Sequence, residues 1–189
     1  MIGGTMPVWI SMLRGVNVGP HHRIKMDTLR AVYESLKLEE PRTYIQSGNV
    51  LFRAKEKNGT LLAKKIQKGI EGAFGFRPEV MLRTTQELRK TIASNPFAGR
   101  VGIEPSKLLV TFLAAEPSSE AQATLAGLNA DEELHLRDRE LYIYFPNGVG
   151  NAKLPWSKVE NLVRTAGTAR NWTSVIKMLE LAEEMETAG

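Results

Sequence analysis

The chain has 189 residues, enough for one domain or two small ones with a substantial core. Its content of 42% hydrophobic and 24% charged residues is ordinary for a soluble globular protein. Because cysteine is absent, disulfides, thiolate catalysis and cysteine-ligated zinc are excluded. Residues 1–5 lack the charged and apolar regions of a signal peptide, and no apolar run approaches the ~18 residues that span a bilayer, so we expect a cytoplasmic protein.

The formal net charge of +4 is unevenly distributed along the chain. Residues 1–94 carry 16 lysines and arginines against 8 acids, whereas residues 95–189 carry 9 against 13. A basic half of this kind favours an anionic partner. Two halves that attract each other, or a solvated lysine surface, would produce the same pattern.

The first half of the sequence predicts the element order β-α-β-β-α-β. Four segments have the apolar character of strands: VWISML, RTYIQ, NVLFR and EVMLR. Between them, apolar residues recur at helical spacing: Met26, Leu29, Val32, Tyr33 and Leu36, then Leu62, Ile66, Ile70 and Phe74. Gly75 is placed to end the second helix, and Thr84 followed by Glu87 forms a capping box for another. This order is that of the split βαβ, or ferredoxin-like, unit.

A second set of elements follows a segment rich in proline and glycine, NPFAGRVGIEPS at 95–106. KLLVTFL predicts a strand, and Ser118–Leu128 predicts a helix. Alternating apolar residues on both sides of Asp138-Arg139 predict a hairpin. Pro155 suits the first turn of the next helix. TARNWTSV is predicted to begin the last helix, at the place where a repeat of the first half would have its fourth strand.

The predicted fold class is therefore α+β, with tandem ferredoxin-like (βαββαβ) units. The second unit is predicted to be degenerate and to carry an extra C-terminal helix. The predicted boundaries are a ferredoxin-like N-terminal subdomain at 6–94, a connector at 95–106, and a related α+β C-terminal subdomain at 107–189. Because the halves share most of their element order, we interpret them as an internal duplication.

The turn after the first strand, MLRGVNVGPHHRIKM, is the strongest candidate site. In a sheet of order 4-1-3-2, the end of the first strand and the turn between the second and third strands lie at the same edge, so RGVNVG and QSGN should meet. The glycines of both turns would let backbone N–H groups converge, beside the N-terminus of the first helix. We predict an anion site with the ligand contacts Arg14, Asn17, Lys25, Ser47 and Asn49. Alternatively, the glycines only shape the turns, and the two asparagines cap backbone groups.

The segments LRGVNVG, IKM, TYIQSGNVLF, NPF and TARNWTSV together resemble a bacterial domain-of-unknown-function family, number 1697. Members carry near-identical LRGxNVG, TYIQSGN and RNW segments, and the resemblance extends over essentially the whole chain from Met6. It implies a cytoplasmic α+β protein of about this size with ferredoxin-like character. It implies no activity, substrate or catalytic residue.

No metal or cofactor site is predicted from the sequence. His21 and His22 are adjacent and therefore badly placed to ligate one ion, and His135 lies in a distant predicted strand. The turn that contains Ser47 lacks the G-x-S-x-G pattern of a nucleophile elbow. GVNVG matches neither of the two common glycine-rich nucleotide motifs.

The favoured function is binding of a small anionic ligand, such as phosphate, a nucleotide or a phosphorylated metabolite, at the turn after the first strand. One alternative is an acylphosphatase-like phosphoryl-transfer enzyme, in which Arg14 would act with Asn17 or Asn49. Another is nucleic-acid binding through the basic N-terminal half, which predicts a steep dependence on salt. Nucleic acid is the less favoured partner because VWISML and NVLFRA do not match the RNP consensus of RNA-binding sheets. No membrane partner is predicted.

Overall fold

The computed structural model describes residues 6–128 and 130–188. Along those residues, the strands are β1 (Val8–Leu13), β2 (Glu39–Tyr44), β3 (Asn49–Arg53), β4 (Val80–Thr84), β5 (Leu108–Leu113), β6 (Glu133–Arg137), β7 (Glu140–Tyr144) and β8 (Gly167–Asn171). The helices are α1 (Met26–Ser35), α2 (Gly59–Phe74), α3 (Thr85–Ala93), α4 (Ser119–Ala126), α5 (Trp156–Val163) and α6 (Trp172–Ala188). The predicted α+β class is confirmed.

The strands form two four-stranded antiparallel sheets of the same internal order. The first sheet has the order β2-β3-β1-β4 and the second has the order β6-β7-β5-β8. The order 4-1-3-2 expected for the first half is therefore observed. The chain divides into two compact units: the first runs to Arg89 and includes the segment from Lys177 on, and the second is Lys90–Ile176.

The core of the first unit lies between its sheet and the helices α1 and α2. Strand residues that alternate along one face of the sheet pack against helix residues spaced three or four apart. The buried members are Trp9, Leu13, Val50, Phe52, Val80 and Leu82 from the strands, with Leu29, Val32, Tyr33, Leu62, Ile66 and Ile70 from the helices. Helix α2 begins where the Asn58 side chain accepts the N–H of Thr60 at 3.0 Å, and it ends at Gly75 with φ 74°, as predicted.

Strand β2 begins three residues earlier and ends two residues earlier than the sequence predicts. RTYIQ was expected to be the strand, but β2 runs from Glu39 to Tyr44, and Ile45 lies in the following turn with φ 49°. Pro41 within the strand hid it from the sequence pattern, since proline lacks an N–H for the ladder. The strand tolerates Pro41 because it is at the edge of the sheet, where its register with β3 shifts between Glu39 and Arg42.

The prediction that the second half lacks its fourth strand is wrong. Gly167–Asn171 forms β8, which pairs antiparallel with β5 from Leu109↔Asn171 to Leu113↔Gly167. The strand escaped prediction because its buried positions are Thr168 and Arg170, which give no apolar alternation. The second unit is therefore not degenerate in its sheet, and α6 begins only after the strand, at Trp172.

The segment 95–106, predicted as a connector, lies within the second unit. Phe97 is buried at 2% exposure, and its ring centroid is 5.3 Å from that of His135. The Arg100 guanidinium forms a bidentate pair with the Glu133 carboxylate at 2.8 and 3.0 Å. An aromatic anchor and a charged clamp thus fix this segment to strand β6.

Candidate functional site

The two turns predicted to meet do meet in the first unit. The N–H of Leu13 donates to the carbonyl oxygen of Gly48 at 3.0 Å. The side-chain amide of Asn17 donates to the carbonyl oxygen of Gln46 at 2.8 Å. These bonds join the β1–α1 connection to the β2–β3 turn, so the predicted juxtaposition is confirmed.

A third loop, the connection between α2 and β4, lies beside these two turns. The sequence analysis did not predict this contact. The N–H of Arg14 donates to the carbonyl oxygen of Glu79 at 2.9 Å, in the connection between α2 and β4. The signal was available, because a sheet of order 4-1-3-2 places the fourth strand beside the first. We call this surface the rim, and it consists of residues 14–25, 45–48 and 75–79.

Asn17 fastens the long loop of the rim to itself and to the neighbouring turn. Its amide nitrogen donates to the carbonyl oxygens of Ile24 at 3.0 Å and of Gln46 at 2.8 Å. Its side-chain oxygen accepts the N–H of Ile24 at 2.8 Å. Both amide donors are thereby used, and the backbone holds φ 56°, a left-handed value that asparagine tolerates. Asn17 therefore shapes the rim.

Asn49 lies beneath the rim rather than on it. The residue has no exposed surface, and its amide donates to the Ser47 hydroxyl at 2.9 Å and the Tyr44 carbonyl at 3.3 Å. A side chain at this depth cannot touch a ligand in solvent, so Asn49 is corrected from a ligand contact to a support of the turn. Gly48 has φ 77°, and a Cβ there would lie 3.0 Å from the Cβ of Leu13. The turn therefore requires glycine at this position.

The surface of the rim is basic. Arg14 and Lys25 are exposed, as are the other cations and histidines of the same loop, which are His21, His22 and Arg23. The His22 ring stacks on the half-buried ring of Phe76, with centroids 4.2 Å apart and an interplanar angle of 20°. Ser47 is half-buried at the adjoining turn. Four of the five predicted contacts therefore lie at this surface or line its turns.

Part of the predicted backbone cradle is already engaged within the protein. The amides of Leu13, Arg14 and Asn17 donate to carbonyl oxygens of Gly48, Glu79 and His22. The amide of Ile24 donates to the Asn17 side chain. Binding of an anion would therefore depend mainly on the cationic side chains, since these four amides already have acceptors.

In the second unit, the connection from the first strand to the first helix is much shorter. The N–H of Leu113 donates to the carbonyl of Arg139 at 2.9 Å, and the N–H of Ala114 donates to the carbonyl of Ala166 at 2.8 Å. These bonds repeat those of Leu13 and Arg14. However, the connection from β5 to α4 spans residues 114–118, whereas that from β1 to α1 spans 14–25. The fold itself needs neither the arginine nor the longer loop.

The described residues give no support for a metal centre at the rim. Among residues 6–128 and 130–188, His, Cys, Asp and Glu nowhere gather in a group of three or more that could hold an ion. His21 and His22 therefore lack the acidic or histidine partners that a metal ion would need.

These observations define the class of the protein: an α+β protein with two antiparallel sheets and a basic rim on the first sheet. The chain belongs to a family of proteins of unknown function (DUF1697), whose model matches residues 6–142. The family resemblance is thereby confirmed over residues 6–142, and the TARNWTSV segment lies beyond the match.

A solved structure is also similar over nearly the whole chain. It is the conserved bacterial protein SP0830 from Streptococcus pneumoniae, with a TM-score of 0.69 and 21% sequence identity. The similarity covers 94% of this chain and 99% of that one, and it supports the fold alone. None of the curated proteins compared with the chain is significantly similar to it. Within the part of the chain described, every helix is too short or too polar to cross a membrane.

Proposed function

We propose that the protein binds a small anionic molecule, carrying phosphate or carboxylate, at the rim of its first unit. The observation that supports this most is the twelve-residue connection at 14–25, where the second unit needs only five residues at 114–118. The added length carries exposed cations and is fixed by the three hydrogen bonds of Asn17. A loop that is both cationic and ordered suits ligand binding, since little ordering entropy remains to be lost.

In this proposal Arg14 and Lys25 supply the charge, and the Ser47 hydroxyl supplies a neutral hydrogen bond. Asn17 and Asn49 act as positioning residues that hold the two turns. Arginine suits phosphate and carboxylate because its planar fork can donate two parallel hydrogen bonds. A charged hydrogen bond contributes about 1.5–3 kcal/mol, so two of them suffice for a weak specific site.

We also propose that both units are ferredoxin-like and arose by duplication of one βαββαβ element set. The identical strand orders and the repeated bonds of Leu13 and Leu113 support this interpretation. Divergence would then have made the first connection longer in the first unit than in the second. The proposal places the protein in the cytoplasm, where phosphorylated metabolites are made.

The test is a thermal-shift and calorimetric titration with phosphate, pyrophosphate, nucleotides and small carboxylates. We expect at least one of these anions to raise Tm, and Arg14→Ala or Lys25→Ala to weaken its binding by about tenfold or more, the equivalent of one charged hydrogen bond. Arg137→Ala, which removes an exposed arginine from the second unit, is the matched control and should bind normally. Failure of every anion to bind, or equal binding by all variants, would contradict the proposal.

A separate hydrolysis assay tests the acylphosphatase-like alternative. Asn17 and Asn49 already donate both amide hydrogens to protein groups, so neither offers a donor to orient a water molecule. Hydrolysis of benzoyl phosphate by the purified protein, lost in Arg14→Ala, would favour the enzyme. Anion binding without turnover would favour the binding protein.

A further inference from the structure

Helix α2 and the loop before it carry five lysines without ionic partners in the described structure. We call this set the lysine surface: Lys55, Lys57, Lys64, Lys65 and Lys68. All five are exposed, and none of their side chains forms a hydrogen bond or an ion pair within residues 6–128 and 130–188. The buried face of α2 is formed by other residues, so the lysines contribute nothing to the core.

Two other helices of the protein each pair a cation with an acid of the same helix. Arg30 binds Asp27 three residues earlier, and Lys177 binds Glu180 three residues later at 2.9 Å. Acid–base pairs at such spacings stabilise a helix. In helices α1 and α6 a cation therefore has an acid at a favourable spacing, whereas Arg89 and Lys90 of α3 pair with acids elsewhere in the chain and Lys158 of α5 has no ionic partner in the described residues.

Helix α2 has the opposite arrangement. Lys68 lies four residues after Lys64 and three after Lys65, so the neighbours on the helix face carry like charges that destabilise it. Glu71, three residues after Lys68, has its carboxylate 3.7 Å from the Arg77 guanidinium. Glu56, between Lys55 and Lys57, accepts the N–H of Asn58 at 2.6 Å. The helix therefore keeps an uncompensated cluster of positive charge.

The lysine surface continues into a cleft of about 230 Å³ beside the start of α2. Lys55 and Lys65 line this cleft together with Lys37, which is also exposed and has no ionic partner in the described residues. Two acids, Glu39 and Glu56, line it as well, so the lysines exceed the acids by one. Apolar atoms of Leu38 and Leu62 form part of its wall. The unpaired cations therefore extend from the outer face of α2 across a concave surface.

We propose that the lysine surface binds the phosphate backbone of nucleic acid, independently of base sequence. A run of cations on one helix face complements a partner that repeats negative charge along its length. An anionic membrane is less well matched, because helices that lie on membranes bury a broad apolar face, and the large exposed apolar residue here is Leu61, at 55% exposure. This inference is separate from anion binding at the rim.

The test is fluorescence anisotropy with a fluorescein-labelled DNA duplex of mixed sequence, titrated at several potassium chloride concentrations. Each lysine that neutralises one phosphate contributes about 0.9 to the slope of log affinity against log salt. We expect a slope of about −3 to −4 for the wild-type protein, if three or four lysines are engaged. Lys68→Gln should reduce the magnitude of that slope by about 1.

The Lys64→Glu variant separates binding from folding. It places a glutamate four residues before Lys68, the favoured orientation of an ion pair on a helix, so Tm should stay equal or rise. Its affinity for the duplex should fall by tenfold or more. Lys158→Glu makes the same change in net charge at an exposed lysine of helix α5 in the second unit, and should bind almost as the wild type does.

Several outcomes would overturn the proposal. These are a duplex affinity that does not change with salt, no binding at 50 mM salt, or equal losses in Lys64→Glu and Lys158→Glu. Stronger binding to vesicles that contain phosphatidylserine than to the duplex would assign the surface to a membrane instead. Loss of duplex binding in Arg14→Ala, with Lys64→Glu unaffected, would place the contact at the rim.

Discussion

Asn17 and Gln46 lie 29 residues apart in the chain and are joined by a 2.8 Å hydrogen bond from the Asn17 amide to the Gln46 carbonyl oxygen. The same amide closes the loop from within, through Ile24. One side chain therefore fixes the shape of the 14–25 loop and its position against the β2–β3 turn. A ligand at the rim would therefore bind a surface whose loop conformation is fixed before binding.

Asn17→Ala should lower the free energy of unfolding by about 1–3 kcal/mol, because three hydrogen bonds are lost and a left-handed residue loses its preferred side chain. Chemical denaturation measures this change. Asn151→Ala is the matched control, since it removes one exposed hydrogen bond to the Asn147 carbonyl, and it should cost less than about 1 kcal/mol. Equal stability of Asn17→Ala and the wild type would show that the loop does not depend on these bonds.

Gly48→Ala should destabilise the first unit by about 1–3 kcal/mol, because φ is 77° and the new Cβ would lie 3.0 Å from the Cβ of Leu13. Gly72→Ala is the matched substitution within helix α2, where a Cβ meets no atom within 4 Å. It should stabilise the protein by up to about 1 kcal/mol through helix propensity. Two opposite shifts of Tm are therefore expected from the same chemical change, and shifts of the same sign would contradict this account.

Tyr33 and Ser11 form a buried hydroxyl pair in the first unit, with 2.6 Å between their oxygens. Tyr33→Phe should cost about 1–2 kcal/mol, because the fully buried Ser11 hydroxyl loses its partner. The double variant with Ser11→Ala should recover part of this loss. A double-mutant cycle by urea denaturation gives the coupling energy between the two residues. A value near zero would mean that their hydrogen bond does not contribute to the free energy of unfolding.

Burial raises the pKa of Tyr33 above its ordinary value of 10.0, with the Ser11 hydrogen bond opposing the shift. The neutral phenol is therefore favoured in the folded state. Its contribution to stability is complete below pH 10, where the unfolded tyrosine is also neutral, and declines as pH rises above it. Tyr33→Phe should remove this component of the alkaline loss of stability, measured by denaturation between pH 9 and about 11.

The Arg100 hydrogen bond lowers the pKa of Glu133 from 4.5 to about 2, against the opposing effect of burial. The carboxylate therefore contributes to stability above pH 4.5, and the contribution is lost as pH falls toward 2. Because the side chain is 41% exposed, solvent screening keeps the effect modest. Glu133→Gln should flatten the acid limb of the stability curve, and an unchanged limb would show that the pair does not hold the 95–106 segment.

The sequence predicted the parts of the fold that depend on apolar periodicity. The helix positions around Leu62 and Ile66 and the central strands follow from that pattern. β8 did not, because its buried positions hold Thr168 and Arg170, whose polar groups bond locally: the Arg170 guanidinium donates to the Thr168 hydroxyl at 2.7 Å. No periodic apolar signal exists for such a strand.

The candidate site was predictable in its location but not in the roles of its residues. Strand order alone brings the Arg14 and Gly48 turns together, and the structure confirms that. Whether an asparagine faces a ligand or the backbone depends on side-chain direction and depth, which spacing in the sequence does not determine. The buried position of Asn49 and the three bonds of Asn17 therefore became clear only in three dimensions.

Strand β2 has a further consequence at the outer margin of the first sheet. Pro41 has no backbone N–H to donate there, and Glu40 has a φ of 50°. The register with β3 shifts between Glu39 and Arg42. A strand from another molecule would find a kinked and interrupted template, so extension of the sheet into a continuous intermolecular ribbon is disfavoured. Copies of this protein that associate at this edge would have to do so through side-chain surfaces.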